Sequence, residues 1–471
     1  MHQSKRHSLT EQRNLFREAK PHSNPYRILV WMGLILGAVA LLLQLRRGEI
    51  KPLFMPTPTP TRTSQSYTME AEAYFAAGKL DDPATDQDAL GTYELATQVD
   101  PTNAQLWAEL ARIQVYSYSM LSNDNDRLTR LQQALASADR AVELDPENST
   151  VRAIRAFVLD WNASSNLITQ EQRDAYLNQA ESEAVRALQL DPNNVLALAF
   201  YAEVLVDQQK WSQAQQFAEQ AVARAPDSMD VHRVYATVLE NVAEYRTSIE
   251  QYLAAAEITP NFTYLYLRVG YGYRNLALRE PTTAGQLEQY TIALEYFDRA
   301  ANINKQLGVR DPQPYIAIAK TYTQMGQAMT ASRNAERALE YDPTNSDTYG
   351  QLGMIYVQSK NYESALIALK CAVEGCTAKE NTIALDLVDQ GLLTESVAVK
   401  PLPLTNTTVG YYYIRYGSVL AYLRKGDDGS CEKSMALMAK LRETFPNDVD
   451  LLSNIQTNEE LCNSLMGTPV P

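Results

Sequence analysis

Residue types suited to bond chemistry are scarce in this 471-residue sequence. Of its four His, His2, His7 and His22 stand near the start, which leaves His232 as the one imidazole in the remainder. Metal hydrolysis and general acid–base catalysis draw on imidazole more than on any other side chain. Spacing adds nothing to them. There is no His-Glu-x-x-His, no Gly-x-Ser-x-Gly and no phosphate-cradling Gly-rich loop, and "GYGY" at 270–273 reads as helix packing. Asp and Glu are plentiful but scattered, as on solvated helix faces. The expectation is a protein that is not an enzyme, with no catalytic residues, no cofactor and no metal site.

The cysteines are more informative. Cys371, Cys376, Cys431 and Cys462 all follow residue 370, and none precedes it. Such clustering fits disulfide stapling of one end of the molecule in an oxidising space. Four buried thiols are the alternative. Zinc has neither a close Cys pair nor a nearby His to complete a site.

Charge is unevenly spread. Residues 1–62 hold ten Lys/Arg against three acidic residues, a net +7, so the rest carries −21 within the total of −14. A body that acidic repels nucleic acid, and none is expected as a partner. Residues 28–45, "ILVWMGLILGAVALLLQL", contain no charge. Eighteen helical residues reach about 27 Å, close to the hydrocarbon thickness of a bilayer. The expected element is a retained transmembrane helix, because "QLRRGEIK" follows in place of a small-residue cleavage site. A cleaved secretory signal is the alternative. Six Lys/Arg precede the segment and place the N-terminus in the cytoplasm and the body outside. The run "KPLFMPTPTPTRTSQS" at 51–66 favours extended chain, a semi-rigid linker.

The body is periodic. "DPTN" occurs at 100–103 and 342–345, with "DPEN" at 145–148 and "DPNN" at 191–194 between them. Pro192, Pro226 and Pro260 are spaced by 34 residues. Pro ends a helix, and the Asn or Ser after it caps the next one. Within the period, small residues recur: Ala202, Ala214, Ala218 and Ala221, then Ala236, Ser248 and Ala255. Small side chains at these positions let helix axes approach closely. The stretch "YGQLGMIYVQSKNYESALIALKCAV" at 349–373 carries the same pattern. On these residues the chain resembles the tetratricopeptide-repeat family, in a membrane-anchored bacterial-type form. The resemblance implies an all-α fold, an α-α superhelix of helix–turn–helix repeats. Three units are longer than the period, with extra residues near "SYSMLSNDNDR", "WNASSNLITQEQ" and "ALREPTTAGQ".

The expected organisation is a basic tail at 1–27, a transmembrane helix at 28–45 and a Pro/Thr-rich linker at 46–68. An array of about eight repeats at 69–379 follows, then an insertion at 380–410 and a degenerate repeat with a capping helix at 411–465. The insertion, "LLTESVAVKPLPLTNTTVG" above all, is rich in Val, Thr and Pro and predicts a short irregular segment or β-hairpin. Cys431 opens the second helix of the last repeat and Cys462 falls late in the antiparallel cap, so these two are the preferred bridge. Cys371 and Cys376 form a second candidate pair.

In this family the first helices line a concave groove that holds protein segments. Carried onto this chain, the resemblance implies a groove of Tyr264, Leu267, Arg268, Tyr271, Arg274 and Asn275, with Arg233 and Lys320 from neighbouring units. Tyr rings and guanidinium groups there suit a carboxylate or an extended peptide. The opposing expectation is that the Tyr fill gaps between repeats and the Arg offset local acids. The reading is a membrane-anchored scaffold outside the cytoplasm, in envelope assembly or secretion, binding a protein or peptide segment in its groove. One rival is a cytoplasmic adaptor of reversed topology. The other is an enzyme with a site in 380–410.

Overall fold

The computed structural model of the protein describes residues 24–46, 62–82, 87–121, 124–165, 168–424 and 429–465. It divides into two compact units, Met1–Arg62 and Thr63–Pro471. Most of the expected basic tail and Pro/Thr linker lies outside the described residues.

In the first unit, α1 (Pro25–Arg46) is a helix of 22 residues, about 33 Å long. Proline suits its first turn, where no amide donor is needed. The side chains from Tyr26 to Leu43 are exposed on every side, Trp31 and Leu36 among them. An all-round apolar helix has no core-facing stripe. This one is long and apolar enough to cross a bilayer.

The second unit is built of helix pairs. They are α2 (Ser64–Ala76) with α3 (Ala89–Val99), α4 (Ala104–Tyr118) with α5 (Asp124–Leu144), α6 (Ser149–Ala163) with α7 (Gln170–Leu190), and α8 (Val195–Asp207) with α9 (Trp211–Arg224). Next come α10 (Met229–Asn241) with α11 (Tyr245–Ile258), α12 (Thr263–Arg279) with α13 (Thr283–Leu307), α14 (Gln313–Gln324) with α15 (Ala328–Tyr341), and α16 (Ser346–Gln358) with α17 (Tyr362–Val373). A short α18 (Thr382–Asp389) precedes α19 (Thr407–Arg424), α20 (Ser430–Thr444) and α21 (Val449–Leu465).

The recurring Asp-Pro-x-Asn turn works as a helix start. The side chains of Asn103, Asn148, Asn194 and Asn345 each accept a hydrogen bond from an amide in the first turn of α4, α6, α8 and α16. The extra residues of the longer units go largely into their second helices. Helices α5, α7 and α13 have 21, 21 and 25 residues, against 14 in α9 and α11. Alanines at the helix crossings are sealed, with Ala202, Ala214 and Ala221 at 0 % exposure. At one crossing even alanine is too large, since a Cβ on Gly270 would overlap the Phe297 ring.

The core forms two main clusters that meet at the α14–α15 pair, with Ala338 of α15 in the first and Leu339 in the second. Ile318 belongs to the first and Ala319 to the second. Of the two forms expected for the 380–410 insertion, irregular segment or β-hairpin, the described residues show the irregular one, with a short helix added. The insertion opens with α18, and the β pairing among the described residues is a single antiparallel bridge between Cys376 and Val399. Pro401 and Pro403 cannot donate to a ladder, so the pairing stops there. The segment is tied down by other means. Asn381 donates to the Tyr349 hydroxyl at 2.8 Å and to the Val397 carbonyl at 3.1 Å.

Three turns inside pairs carry a left-handed residue two positions after the first helix. They are Gln209, Ala243 and Lys360, with φ of 61°, 66° and 61°. In α14–α15 the same place holds Gly326, at φ 73°. A Cβ in this conformation is strained by about 1–2 kcal/mol. Ala243→Gly is therefore expected to raise the unfolding free energy by about 1 kcal/mol in urea titration. A loss of stability would contradict the strain.

Candidate partner-binding face

The first helices α4, α6, α8, α10 and α12 turn their inner faces toward one another. Those faces are filled by their own side chains. Phe157 stacks on Phe200 with ring centroids 4.4 Å apart, and Tyr116 lies 5.6 Å from Phe157 and 5.3 Å from Phe262. Phe75 of α2 reaches into the same cluster, 5.8 Å from both Tyr116 and Phe262. The carbonyl of Ala77 accepts from Asn261 at 3.2 Å, across 184 residues of sequence.

Arg233 sits inside this cluster with no exposed surface. Its two terminal nitrogens donate to the two oxygens of Glu203 at 2.6 and 2.7 Å. Its guanidinium carbon lies 5.6, 5.3 and 5.9 Å from the ring centroids of Tyr116, Phe157 and Trp161. Bidentate pairing and aromatic faces both suit arginine over lysine. A second pair links distant helices, with Arg112 donating to Asp230 at 3.1 Å and Tyr116 also bonding that carboxylate.

The eight groove residues read from the sequence therefore separate into two groups. Arg233 is out of reach of any partner, a correction to the expected groove. Arg268 is engaged inside the fold. It donates to Glu240 and, at 3.2 Å, to the Tyr252 hydroxyl. Leu267 is buried at 6 %, and Tyr264 stacks on Phe262 at 5.5 Å. Both pairings span nearly one repeat period, 30 residues from Glu203 to Arg233 and 28 from Glu240 to Arg268. A carboxylate late in one first helix and an Arg early in the next is a signal the sequence contained.

Arg274, Tyr271, Asn275 and Lys320 are placed differently. Arg274 of α12 lies over the Tyr271 ring at 5.8 Å and donates to Gln324 of α14 at 3.1 Å. No carboxylate pairs with it among the described residues. Lys320 stands one turn before Gln324 and is exposed. Among the described residues it makes no hydrogen bond or ion pair. The carboxylate of Asp347 acts on it, but that group already accepts from Tyr412, at 2.9 Å, and from Gln351. Surrounding protein, together with the charge of Arg274, lowers the Lys320 pKa.

Asp207 at the end of α8 is likewise exposed, but burial by the surrounding helices and the charge of Glu203 raise its pKa to about 6. His232 has a structural place. Its ring nitrogens face the Gln251 side-chain oxygen at 2.7 Å and the Pro226 carbonyl at 2.8 Å. At the other end, Cys371 is bonded to Cys376 and Cys431 to Cys462, with Cα separations of 4.7 and 5.4 Å.

Tetratricopeptide-repeat family models match residues 177–238 and 334–367. The first covers α7 to α10 and the second α15 to α17, where the small-residue pattern is tightest. The chain is a tetratricopeptide-repeat protein. Human IFIT1, solved as a dimer with m7Gppp-AAAA, is similar in fold at 16 % identity and a TM-score of 0.51, over 90 % of this chain and 93 % of that one. A monomeric IFIT1 mutant gives 0.52 at 15 % identity, over 91 % and 85 %. The tetratricopeptide-repeat protein TTC0263 of Thermus thermophilus is 19 % identical over 45 % of this chain and 98 % of its own, with a TM-score of 0.35. No curated protein matches the chain.

Because Arg233 and Glu203 are buried together, removing one charge strands the other. Glu203→Gln is expected to cost about 3–5 kcal/mol in urea unfolding of the array. Replacing both with Leu is expected to recover much of that loss. A single-variant cost below about 1 kcal/mol would show that the pair is not what organises this core.

Proposed function

We propose that the protein is a membrane-anchored scaffold that holds a segment of another protein against the inner faces of α12, α14 and α16, with no bond made or broken. The observation that carries this reading is Arg274 beside Lys320. Two cations stand on successive inner helices, and among the described residues neither forms an ion pair, the one carboxylate acting on Lys320 being Asp347, already engaged by Tyr412 and Gln351. In a chain of net charge −14, such a pair is a local attractor for a carboxylate. Tyr271 and Asn275 add a ring and an amide beside it, which suits an extended peptide.

A protein partner is favoured over nucleic acid. The IFIT1 structure holds m7Gppp-AAAA. Here the inner face of α6 and α8 carries Asp160, Glu203 and Asp207, which oppose a polyphosphate. The apolar α1 serves as the anchor, and residues 47–63 as the linker that carries the array. Positive charge before α1 supports a cytoplasmic N-terminus. Two disulfide pairings support an array in an oxidising space outside the cytoplasm, as in envelope assembly or secretion.

Two measurements test the reading. Arg274→Ala with Lys320→Ala is expected to weaken capture of a partner segment about tenfold or more, with the helical signal unchanged. Unchanged capture would remove this site. Protease digestion of the array in cells with a permeabilised outer barrier, with Cys left unlabelled by thiol reagent, is the expected topology result. A protected array with four labelled thiols would make it a cytoplasmic adaptor.

A further inference from the structure

Near the C-terminal ends of α6 and α8 stands an acidic cluster, Asp160, Glu203 and Asp207, of which the fold pairs only Glu203 with an arginine. Asp160 is 2 % exposed, and its Oδ1 has no hydrogen-bond partner. An orphaned buried carboxyl oxygen costs about 1–3 kcal/mol. Asp207 and Glu203, one turn apart on α8, are the carboxylates that act on it. Of the cations nearby, Arg233 is spent on Glu203. Arg173 of α7 acts on Asp207 from outside and donates to the Ser165 carbonyl at 3.5 Å. With Glu203 and Asp207 ionised against Arg233, the group carries one negative charge in excess, which Arg173 offsets in part, and Asp160 adds another when it ionises. The Ser164 hydroxyl donates to Asp207 at 3.2 Å but brings no charge.

Next to Asp160 the chain places Trp161, half-buried, with its indole nitrogen donating to Glu203 at 3.3 Å. Tyr118 meets it edge-on at 5.7 Å, and Tyr264 lies 6.4 Å away. Carboxylates beside aromatic faces are the surroundings that hold an organic cation. The fold already uses this chemistry one step away, where Trp161 is one of the rings around the Arg233 guanidinium. We infer that Asp160, Asp207 and Trp161 form a subsite for an alkylammonium group, either the head of a lysine side chain or a free diamine. The exposed Asp207 receives the ammonium, and the orphaned Asp160 oxygen takes a further N–H. The inference does not rest on capture at Arg274 and Lys320.

Burial raises the Asp160 pKa well above the usual carboxylate range and raises that of Asp207 to about 6. An ammonium group needs the ionised carboxylates, so its binding releases protons. Affinity is expected to rise as pH increases from about 5 to about 7.5 through the Asp207 pKa. The test is calorimetric titration of the detergent-solubilised full chain with 1,5-diaminopentane and with N-acetyl-lysine amide. Asp207→Asn is expected to weaken binding about thirtyfold or more. Asp160→Asn serves as a second variant. Neither should unfold the protein, because each removes a carboxylate whose ionisation the fold opposes. Tighter binding of the lysine amide assigns the subsite to a peptide side chain, and tighter binding of the diamine assigns it to a free amine. Absence of binding by both probes overturns the subsite. So does equal affinity in Asp207→Asn, or affinity that falls as pH rises.

Discussion

A guanidinium with no exposed surface constrains everything around it. Taking Arg233 out of water is costly unless its charge and donors are met at once. Glu203 meets the charge with two hydrogen bonds and three aromatic rings face the group, while the Nε donor has no hydrogen-bond partner among the described residues. Those partners come from α4, α6 and α8, so satisfying one side chain on α10 fixes how four first helices stand. Tyr116 extends the constraint. It packs on Phe75 and Phe262 and bonds Asp230, which joins the first helix pair to the sixth. The inner face of this half is thus a polar and aromatic core where repeat geometry alone would leave a groove.

The inner face also changes sign along its length. At α6 and α8 the carboxylates exceed the cations, and burial keeps part of that charge neutral by raising Asp160 and Asp207. At α12 and α14 the excess is positive, and protein crowding lowers the pKa of both Arg274 and Lys320. Each group would be better satisfied by an external counter-charge than by water in a confined space. An extended partner with basic and acidic groups in the matching order would complement both regions.

The C-terminal end solves a different problem. A stack of helix pairs must stop without leaving an apolar face open. Here α21 covers α19 and α20, and Asn458 of α21 donates to the Ile414 carbonyl at 2.9 Å inside that contact. The Cys431–Cys462 bond joins the same two outer helices. The Cys371–Cys376 bond closes the end of α17, where Gly375 at φ 78° turns the chain toward Val399. Core packing divides at the α14–α15 pair, so the two ends hold together as separate apolar clusters joined through these two helices.

Much of this architecture is legible in the residues. Pro and Asn at the recurring turn stop one helix and cap the next, and these are local effects of φ restriction and short hydrogen bonds. The alanine spacing marks the crossings, because only small side chains allow that approach. The position of Cys431 and Cys462 on antiparallel neighbours puts their bond within reach. The insertion reads as irregular or hairpin and is largely irregular, but its Val and Thr content hides the short apolar stripe of Ile383, Ala384 and Leu387 that buries α18. The sequence by itself determined the element type, the period and the apolar first helix, for each depends on neighbours a few residues apart. Only the tertiary structure decided which groove charges remain free. Arg233 and Arg268 are spent on Glu203 and Glu240, while Arg274 and Lys320 are not. That outcome turns on how far the first helices curve toward one another, which is set by packing summed over many repeats.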